Sequence, residues 1–161
     1  MACYTTTGAL DNTFGTNGLV STAIGSVYDR IYSIALQSDG KIVAGGLNYN
    51  GSNNDFALAR YKTTGMIDSS FGTNGIVTTA IGSVNDQIKS IALQSDGKII
   101  AGGLSNIGSN YDFALARYKT NGIIDSTFGT NGIVITAVGS VDDIIYSIAL
   151  QSDGKIVAGG V

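Results

Sequence analysis

Short apolar runs alternate along this chain with turns rich in Gly, Asp and Asn. Residues 87–94 (QIKSIALQ) form one apolar run, Ser-Asp-Gly follows at 95–97, and residues 98–104 (KIIAGGL) resume the run. Gly supplies the positive φ that such a tight turn requires. Residues 112–119 (DFALARYK) alternate with the period of two that is typical of a strand, Asn-Gly follows at 121–122, and residues 133–138 (IVITAV) form a fourth run. The pattern predicts four strands joined by hairpins or short loops.

This four-strand pattern repeats with a period of 57 residues. FGTNG begins at residues 14, 71 and 128, and SIALQSDGKI begins at residues 33, 90 and 147. Residues 59–104 and 116–161 are identical at 36 of 46 positions without a gap. No stretch shows the helical spacing of apolar residues, and four antiparallel strands per repeat are typical of a propeller blade. We therefore predict an all-β fold, a β-propeller of four-stranded antiparallel blades with about three blades in the chain.

The repeat register predicts where the blades begin and end within a single repeat domain of residues 1–161. We expect blades at residues 30–86 and 87–143, with residues 1–29 giving the outer strands and residues 144–161 the inner strands of a split blade. Three blades cannot close a ring, because propellers have about four to eight. Two assemblies remain open: two copies that close a six-bladed ring, or a piece of a longer repeat protein. We expect the dimer for a chain that forms an ordered structure.

The composition excludes several classes of chemistry. The chain has no His, Trp or Pro, a single Cys and a net charge of −3. Without His there is neither a Ser-His-Asp triad nor a His-ligated zinc site, and Cys3 has no partner for an intrachain disulfide. The nine Lys and Arg are scattered, so we expect no nucleic-acid binding. The apolar runs are too short to insert in a membrane, and we expect no signal peptide after Met1. We expect no cofactor and no bound metal.

Three longer phrases resemble a known family. They are LDNTFGTNGLV at 10–20, SIALQSDGKIVAGG at 33–46 and NDFALARYKTTGMID at 54–68. They are similar to the delta-60 repeat family of bacterial proteins, and the resemblance covers residues 2–161. It implies propeller blades, an exported or cell-surface location and a biochemical function that is largely unassigned, with no catalytic residues to carry over. One departure is that Ser38, Ser95 and Ser152 stand where family copies often carry Pro before the Asp-Gly turn.

Candidate ligand-binding residues lie in loops that we expect at one face of the propeller, residues 25–29, 82–86 and 139–143 together with residues 48–54 and 105–111. The repeats differ most there, and loops on a rigid scaffold commonly carry function. Asp29, Asp86 and Asp143 would form a carboxylate ring for a cation such as Ca²⁺, although capping of each loop by its own Asp is the favoured interpretation. Four further residues carry aromatic or amide groups that suit a sugar: Tyr49, Asn53, Asn110 and Tyr111.

The similarity of the repeats also bears on function. A glycosidase needs two carboxyl groups in different roles, and such a site breaks the symmetry of a repeat. We therefore predict no enzymatic activity and a binding or interaction scaffold with a protein or polymer ligand. The alternative is a lectin-like propeller with one equivalent carbohydrate site per blade. Repeated sites suit multivalent binding in both cases.

Overall fold

The computed structural model describes residues 1–25 and 28–161, and its described residues form β-strands and turns without a helix. Accordingly, this part of the chain contains no helix long and apolar enough to cross a membrane. The strands are β1 (Asp29–Leu36), β2 (Ile42–Tyr49), β3 (Asn54–Tyr61), β4 (Ile76–Thr79), β5 (Asp86–Leu93), β6 (Ile99–Asn106), β7 (Tyr111–Tyr118), β8 (Ile133–Thr136), β9 (Ile145–Leu150) and β10 (Ile156–Gly160).

The strands form two complete blades and one inner pair. Sheet order β1-β2-β3-β4 makes the first blade, β5-β6-β7-β8 makes the second blade, and β9 pairs with β10 alone. Every pairing is antiparallel between strands that follow each other in the chain. The predicted all-β propeller of four-stranded antiparallel blades is confirmed.

The Ser-Asp-Gly hairpins form as the sequence predicts. Gly40, Gly97 and Gly154 have φ values of 80°, 81° and 87°. In the second blade the N–H of Gly97 donates to the carbonyl of Gln94 at 2.9 Å, and the N–H of Lys98 donates to the Asp96 carboxylate at 3.1 Å. Gly therefore supplies the left-handed backbone, and Asp closes the turn from its side chain.

Each innermost strand contains a β-bulge that the sequence analysis did not predict. In the first blade Ile31 pairs with Gly46 and Ser33 pairs with Gly45, so Tyr32 has no partner on β2. The equivalent bulged residues of the other two inner strands are Lys89 and Tyr146.

The bulges give the two glycines of each Gly-Gly pair different roles. A Gly inside a strand can mark close approach of another backbone or sheet. A Cβ on Gly102 would indeed lie 2.5 Å from Cδ1 of Ile148 in the inner pair. A Cβ on Gly103 would instead collide with the carbonyl oxygen of Gln87, in the bulged strand of the same sheet. The second Gly thus makes room for the bulge.

The main core lies between the first and second blades. Buried residues from both blades form one cluster: Val43, Phe56, Leu58, Phe71, Ile88, Ile91, Ile99, Ala101, Ala114, Ala116 and Tyr118. A hydrogen bond also crosses this boundary: the N–H of Ile91 donates to the Ser33 hydroxyl at 3.1 Å. Ile148 and Ser90 make the same contact at 3.2 Å between the second blade and the inner pair. Successive blades are therefore joined by repeated contacts.

Residues 1–20 pack on the first blade as the outer part of a preceding blade would. They form isolated bridges, such as Ala2 with Leu19, instead of continuous strands. The N–H of Gly15 donates to the carbonyl of Thr64 at 2.8 Å, and the same bond joins Gly72 to Asn121 in the second blade at 2.8 Å. The N-terminal segment therefore repeats the contact that the first blade makes with the second.

Candidate functional site

Two sets of loops lie together at one end of the blades, as predicted. A Cβ on Gly25 would collide with the Asn48 side chain, and a Cβ on Gly82 would collide with the backbone of Asn106. The connection into each blade therefore lies against the loop between that blade's second and third strands. We call this surface the loop face; it comprises residues 25, 28–29, 48–54, 82–86, 105–111 and 139–143. Ser26 and Val27, which belong to the predicted loop 25–29, lie outside the described residues.

The three equivalent carboxylates of the loop face each cap their own loop. Asp29 accepts the N–H groups of residues 24 and 25, with a shortest distance of 2.7 Å. Asp86 accepts those of residues 81 and 82, and Asp143 accepts those of residues 138 and 139, again with shortest distances of 2.7 Å. The structure does not bring the three together: residues 1–25 and 28–161 contain no group of three acidic or Cys side chains suited to hold a metal ion. The favoured capping interpretation matches these bonds.

The two candidate asparagines join successive blades. The amide of Asn53 donates to the carbonyl of Ser83 at 3.2 Å, and the amide of Asn110 donates to the carbonyl of Val141 at 2.8 Å. Each bond reaches from the loop of one blade to the connection that leads into the next. These amides therefore hold the loop face together.

Tyr49 and Tyr111 occupy matching places although they are not equivalent in the repeat. Tyr49 on β2 pairs with Asn54 on β3, whereas Asn106 on β6 pairs with Tyr111 on β7. Residues directly opposite each other in an antiparallel pair lie on the same face of the sheet. Each complete blade thus carries one Tyr beside one Asn at the loop-face end. The Tyr lies on the second strand of the first blade and on the third strand of the second blade.

An aromatic stack on the first blade was missed by the sequence analysis as a site. The rings of Tyr28 and Tyr49 lie 5.7 Å apart between centroids with an interplanar angle of 10°. The Arg30 guanidinium lies 5.5 Å from the centroid of the Tyr28 ring. Tyr28 is 45% exposed. The signal in the sequence was the replacement of Tyr28 by Asn85 and Asp142 in the other repeats.

The bulged residues form a second variable group on the innermost strands. The Lys89 ammonium lies 4.0 Å from the centroid of the Tyr32 ring, a cation–π geometry, and it donates to the Gln87 side chain at 2.9 Å. Tyr146 holds the equivalent position and is exposed. Bulges commonly redirect a side chain beside a functional site. The repeats therefore differ both on the loop face and along the innermost strands.

The arginines that recur at the other end of the two complete blades have structural partners. Arg60 donates to the Asp68 carboxylate at 2.9 Å and to the carbonyl of Thr120 in the second blade at 2.6 Å. The Ser70 hydroxyl, the Ser70 N–H and the Arg60 charge hold the pKa of Asp68 below its ordinary value. Arg117 pairs in the same way with Asp125 at 2.9 Å. Both arginines therefore pair with a carboxylate of their own blade, and Arg60 also joins the first blade to the second.

Comparison with known families agrees with this architecture. Residues 37–71 and 94–128 match the model of a family described as a domain of unknown function (DUF5122) beta-propeller. The two segments are 57 residues apart, and each runs from the hairpin of a blade's inner strands to the Phe that begins FGTNG. A comparison with curated proteins found no match. The comparison thus supports a propeller-type repeat protein.

Proposed function

We propose that this chain is a non-enzymatic propeller module whose loop face binds a protein or polymer partner. The observation that carries the proposal is a division between repeated and variable residues. Contacts between blades use the same residue types in each repeat, as with Ser33 and Ser90. Exposed positions on the loop face change their chemistry from repeat to repeat, as at Asn50 and its equivalent Ile107. A constant frame with a variable exposed surface suits recognition.

The stack of Tyr28 and Tyr49 with Arg30 is the best candidate for the centre of this surface. Tyr and Arg are enriched at protein interfaces, where aromatic rings bury a large area at a low cost in conformational entropy. The stack also fixes both rings before a partner arrives. Such preorganisation favours affinity, because less motion is lost on binding.

The carboxylates of the loop face support a role without catalysis. Asp29, Asp86 and Asp143 each accept backbone N–H groups from their own loop. Bonds of an Asp side chain to nearby backbone N–H groups hold a loop in one conformation. We assign these residues to loop architecture.

We also assign the chain to the delta-60 type of repeat on the three phrases that resemble that family.

A lectin-like function is the second candidate. The observation that favours it is the pair of Tyr and Asn at the loop-face end of each complete blade. Aromatic rings stack on sugar faces, and amides bond to hydroxyl groups. Existing bonds weaken this candidate. The amide of Asn54, the partner of Tyr49, already donates to the Asn85 side chain at 3.1 Å, and the nearby amides of Asn53 and Asn110 donate to the next blade.

One set of binding experiments separates the two candidates. A glycan array probed with the chain should give no specific signal if the scaffold proposal holds, and specific binding would favour the lectin. Affinity enrichment should then recover a partner with the unaltered chain and lose it with the double variant Tyr28→Ser and Arg30→Ser. The matched control is Asp39→Ser, in the hairpin that follows β1 and lies away from the loop face, which should retain the partner. Equal recovery with both variants would contradict a site at the loop face.

A further inference from the structure

We propose that a second copy of this chain completes the split blade, with β10 of one copy pairing with residues 2–4 of the other. Two faces of the chain are uncovered, and each carries the residues that the other face contacts elsewhere in the molecule. The inference goes beyond the proposed function, because it concerns the blade faces and not the loop face.

The first uncovered face is the inner part of the first blade. Ile88 and Ile91 on β5 are 0% and 7% exposed because the first blade covers them. Their equivalents on β1, Ile31 and Ile34, are 47% and 58% exposed. The two pairs have the same residue type and strand position. The difference in exposure therefore arises because no neighbouring blade covers β1. An apolar strand of this kind favours burial against another sheet.

The inner pair carries the surface that fits this face. A Cβ on Gly45 would lie 2.7 Å from Ile91, and a Cβ on Gly102 would lie 2.5 Å from Ile148. A Cβ on Gly159, the third member of this series, would meet nothing within 4 Å. The repeat therefore places Ile34 of the second copy against Gly159. The N–H of that Ile34 then donates to the Ser147 hydroxyl, as Ile91 does to Ser33.

The second uncovered face is the outer part of the second blade. A Cβ on Gly65 would lie 3.1 Å from the Phe14 ring, and a Cβ on Gly122 would lie 2.9 Å from the Phe71 ring. A Cβ on Gly8, their equivalent in the N-terminal segment, would meet nothing within 4 Å. The same series places Gly8 of the second copy against Phe128.

A backbone bond extends this outer contact. Gly15 donates to Thr64, and Gly72 donates to Asn121, both at 2.8 Å. The equivalent bond joins Gly129 to the carbonyl of Thr7 in the second copy. Arg60 also reaches the carbonyl of Thr120 in the next blade, so its equivalent Arg117 is expected to reach Thr6 of the second copy.

The strand register defines the central contact. In the first blade Ile42 pairs with Tyr61, and Val43 pairs with Arg60. The repeat carries this register over to the split blade. Ile156 of one copy then pairs with Tyr4 of the other, and Val157 pairs with Cys3 of the other. The inner strands of the second copy also enter a cavity of about 280 Å³ between the N-terminal segment and the first blade, lined in part by Val20, Ala44 and Tyr61.

Symmetry argues for a second copy as the occupant. One two-fold rotation covers both open faces with the same contact used twice, and it leaves no blade face exposed. An unrelated partner would have to reproduce two different surfaces of the repeat. The completed ring contains two complete blades from each copy and two shared blades.

A disulfide trap tests this register. Opposite residues in an antiparallel pair have Cα atoms about 4.5–5.5 Å apart, which is within the range for a disulfide. The variant Val157→Cys should oxidise against the native Cys3 of the second copy. Non-reducing electrophoresis should then show a dimer at about twice 16.5 kDa, and the further change Cys3→Ser should abolish it.

The control for chance collisions is Ser95→Cys, which places an exposed Cys at the hairpin of the second blade. Circular dichroism should first show that both variants keep the β fold of the unaltered chain. A trapped dimer formed faster by Val157→Cys than by Ser95→Cys supports the proposal. Monomer alone, equal rates for the two variants, or a ladder of larger species would overturn it.

Discussion

The Ser33 hydroxyl accepts a hydrogen bond from the backbone N–H of Ile91 at 3.1 Å and so joins the innermost strands of two successive blades. Fifty-seven residues later Ser90 and Ile148 make the same contact at 3.2 Å. The repeat in the sequence thus appears in the structure as a repeated contact between blades. This regularity is what allows the uncovered faces to be matched to each other.

Replacing Ser90 by Ala should destabilise the chain by about 1 kcal/mol, because the N–H of Ile148 loses its acceptor. Urea denaturation of the two proteins would measure the difference. Ser147→Ala is the matched variant, since its expected donor, Ile34, lies in the second copy. It should lower stability only at concentrations where the chain dimerises. An unchanged midpoint for Ser90→Ala would show that the contact contributes nothing.

Gly97→Val should destabilise the chain by roughly 1 kcal/mol or more, because Gly97 has a φ of 81° that a β-branched residue rarely adopts. An added Cβ would also lie 2.9 Å from the Thr120 methyl group. Gly108→Ala is the control, because a Cβ there meets nothing within 4 Å. Equal thermal midpoints for the two variants would contradict the assigned turn.

Arg60→Lys should destabilise the chain by about 1–3 kcal/mol even though the charge is kept. The guanidinium bonds to Asp68, Ser70 and the carbonyl of Thr120 from three different nitrogens, which one ammonium cannot reproduce. The exposed Lys62→Arg change is the control and should alter stability little. Chemical denaturation measures both, and a tolerated Arg60→Lys would indicate that charge alone suffices.

Stability should fall when the pH drops below about 4, which is near the ordinary pKa of Asp. In the folded chain a side-chain hydrogen bond from Ser, Thr or Lys is the main cause that lowers the pKa of five carboxyl groups, those of Asp39, Asp68, Asp96, Asp125 and Asp153. A carboxyl with a lowered folded pKa adds stability above its unfolded pKa, and this is lost as the pH falls through the folded value.

The measurement for this pH dependence is the unfolding midpoint at pH 3 and at pH 7. The double variant Asp68→Asn and Asp125→Asn should show a smaller difference between the two pH values than the unaltered chain. An identical difference would mean that these two carboxyls do not carry the effect.

Much of the fold follows from local sequence signals. Alternation and apolar runs predicted strands within one or two residues of β5, β6 and β7, and the Asp-Gly turns predicted positive φ at Gly97. These features depend on a few neighbouring residues, so the sequence displays them directly. Precise repetition then extended each prediction to the other blades.

The features that were missed depend on pairing between strands or between blades. The bulge at Tyr32 arises from a register shift against Gly45 and Gly46, which alternation within β1 does not reveal. Asn53 was considered for a sugar, but its amide bonds to the loop that leads into the next blade. Only the placement of two blades side by side shows that this donor is already in use.

The most direct test of ring closure by two copies is the mass of the unaltered chain in solution. Light scattering at micromolar concentrations should give about twice 16.5 kDa, because the uncovered faces of two chains cover each other and close the ring. A stable, soluble monomer of 16.5 kDa over the same range would contradict ring closure.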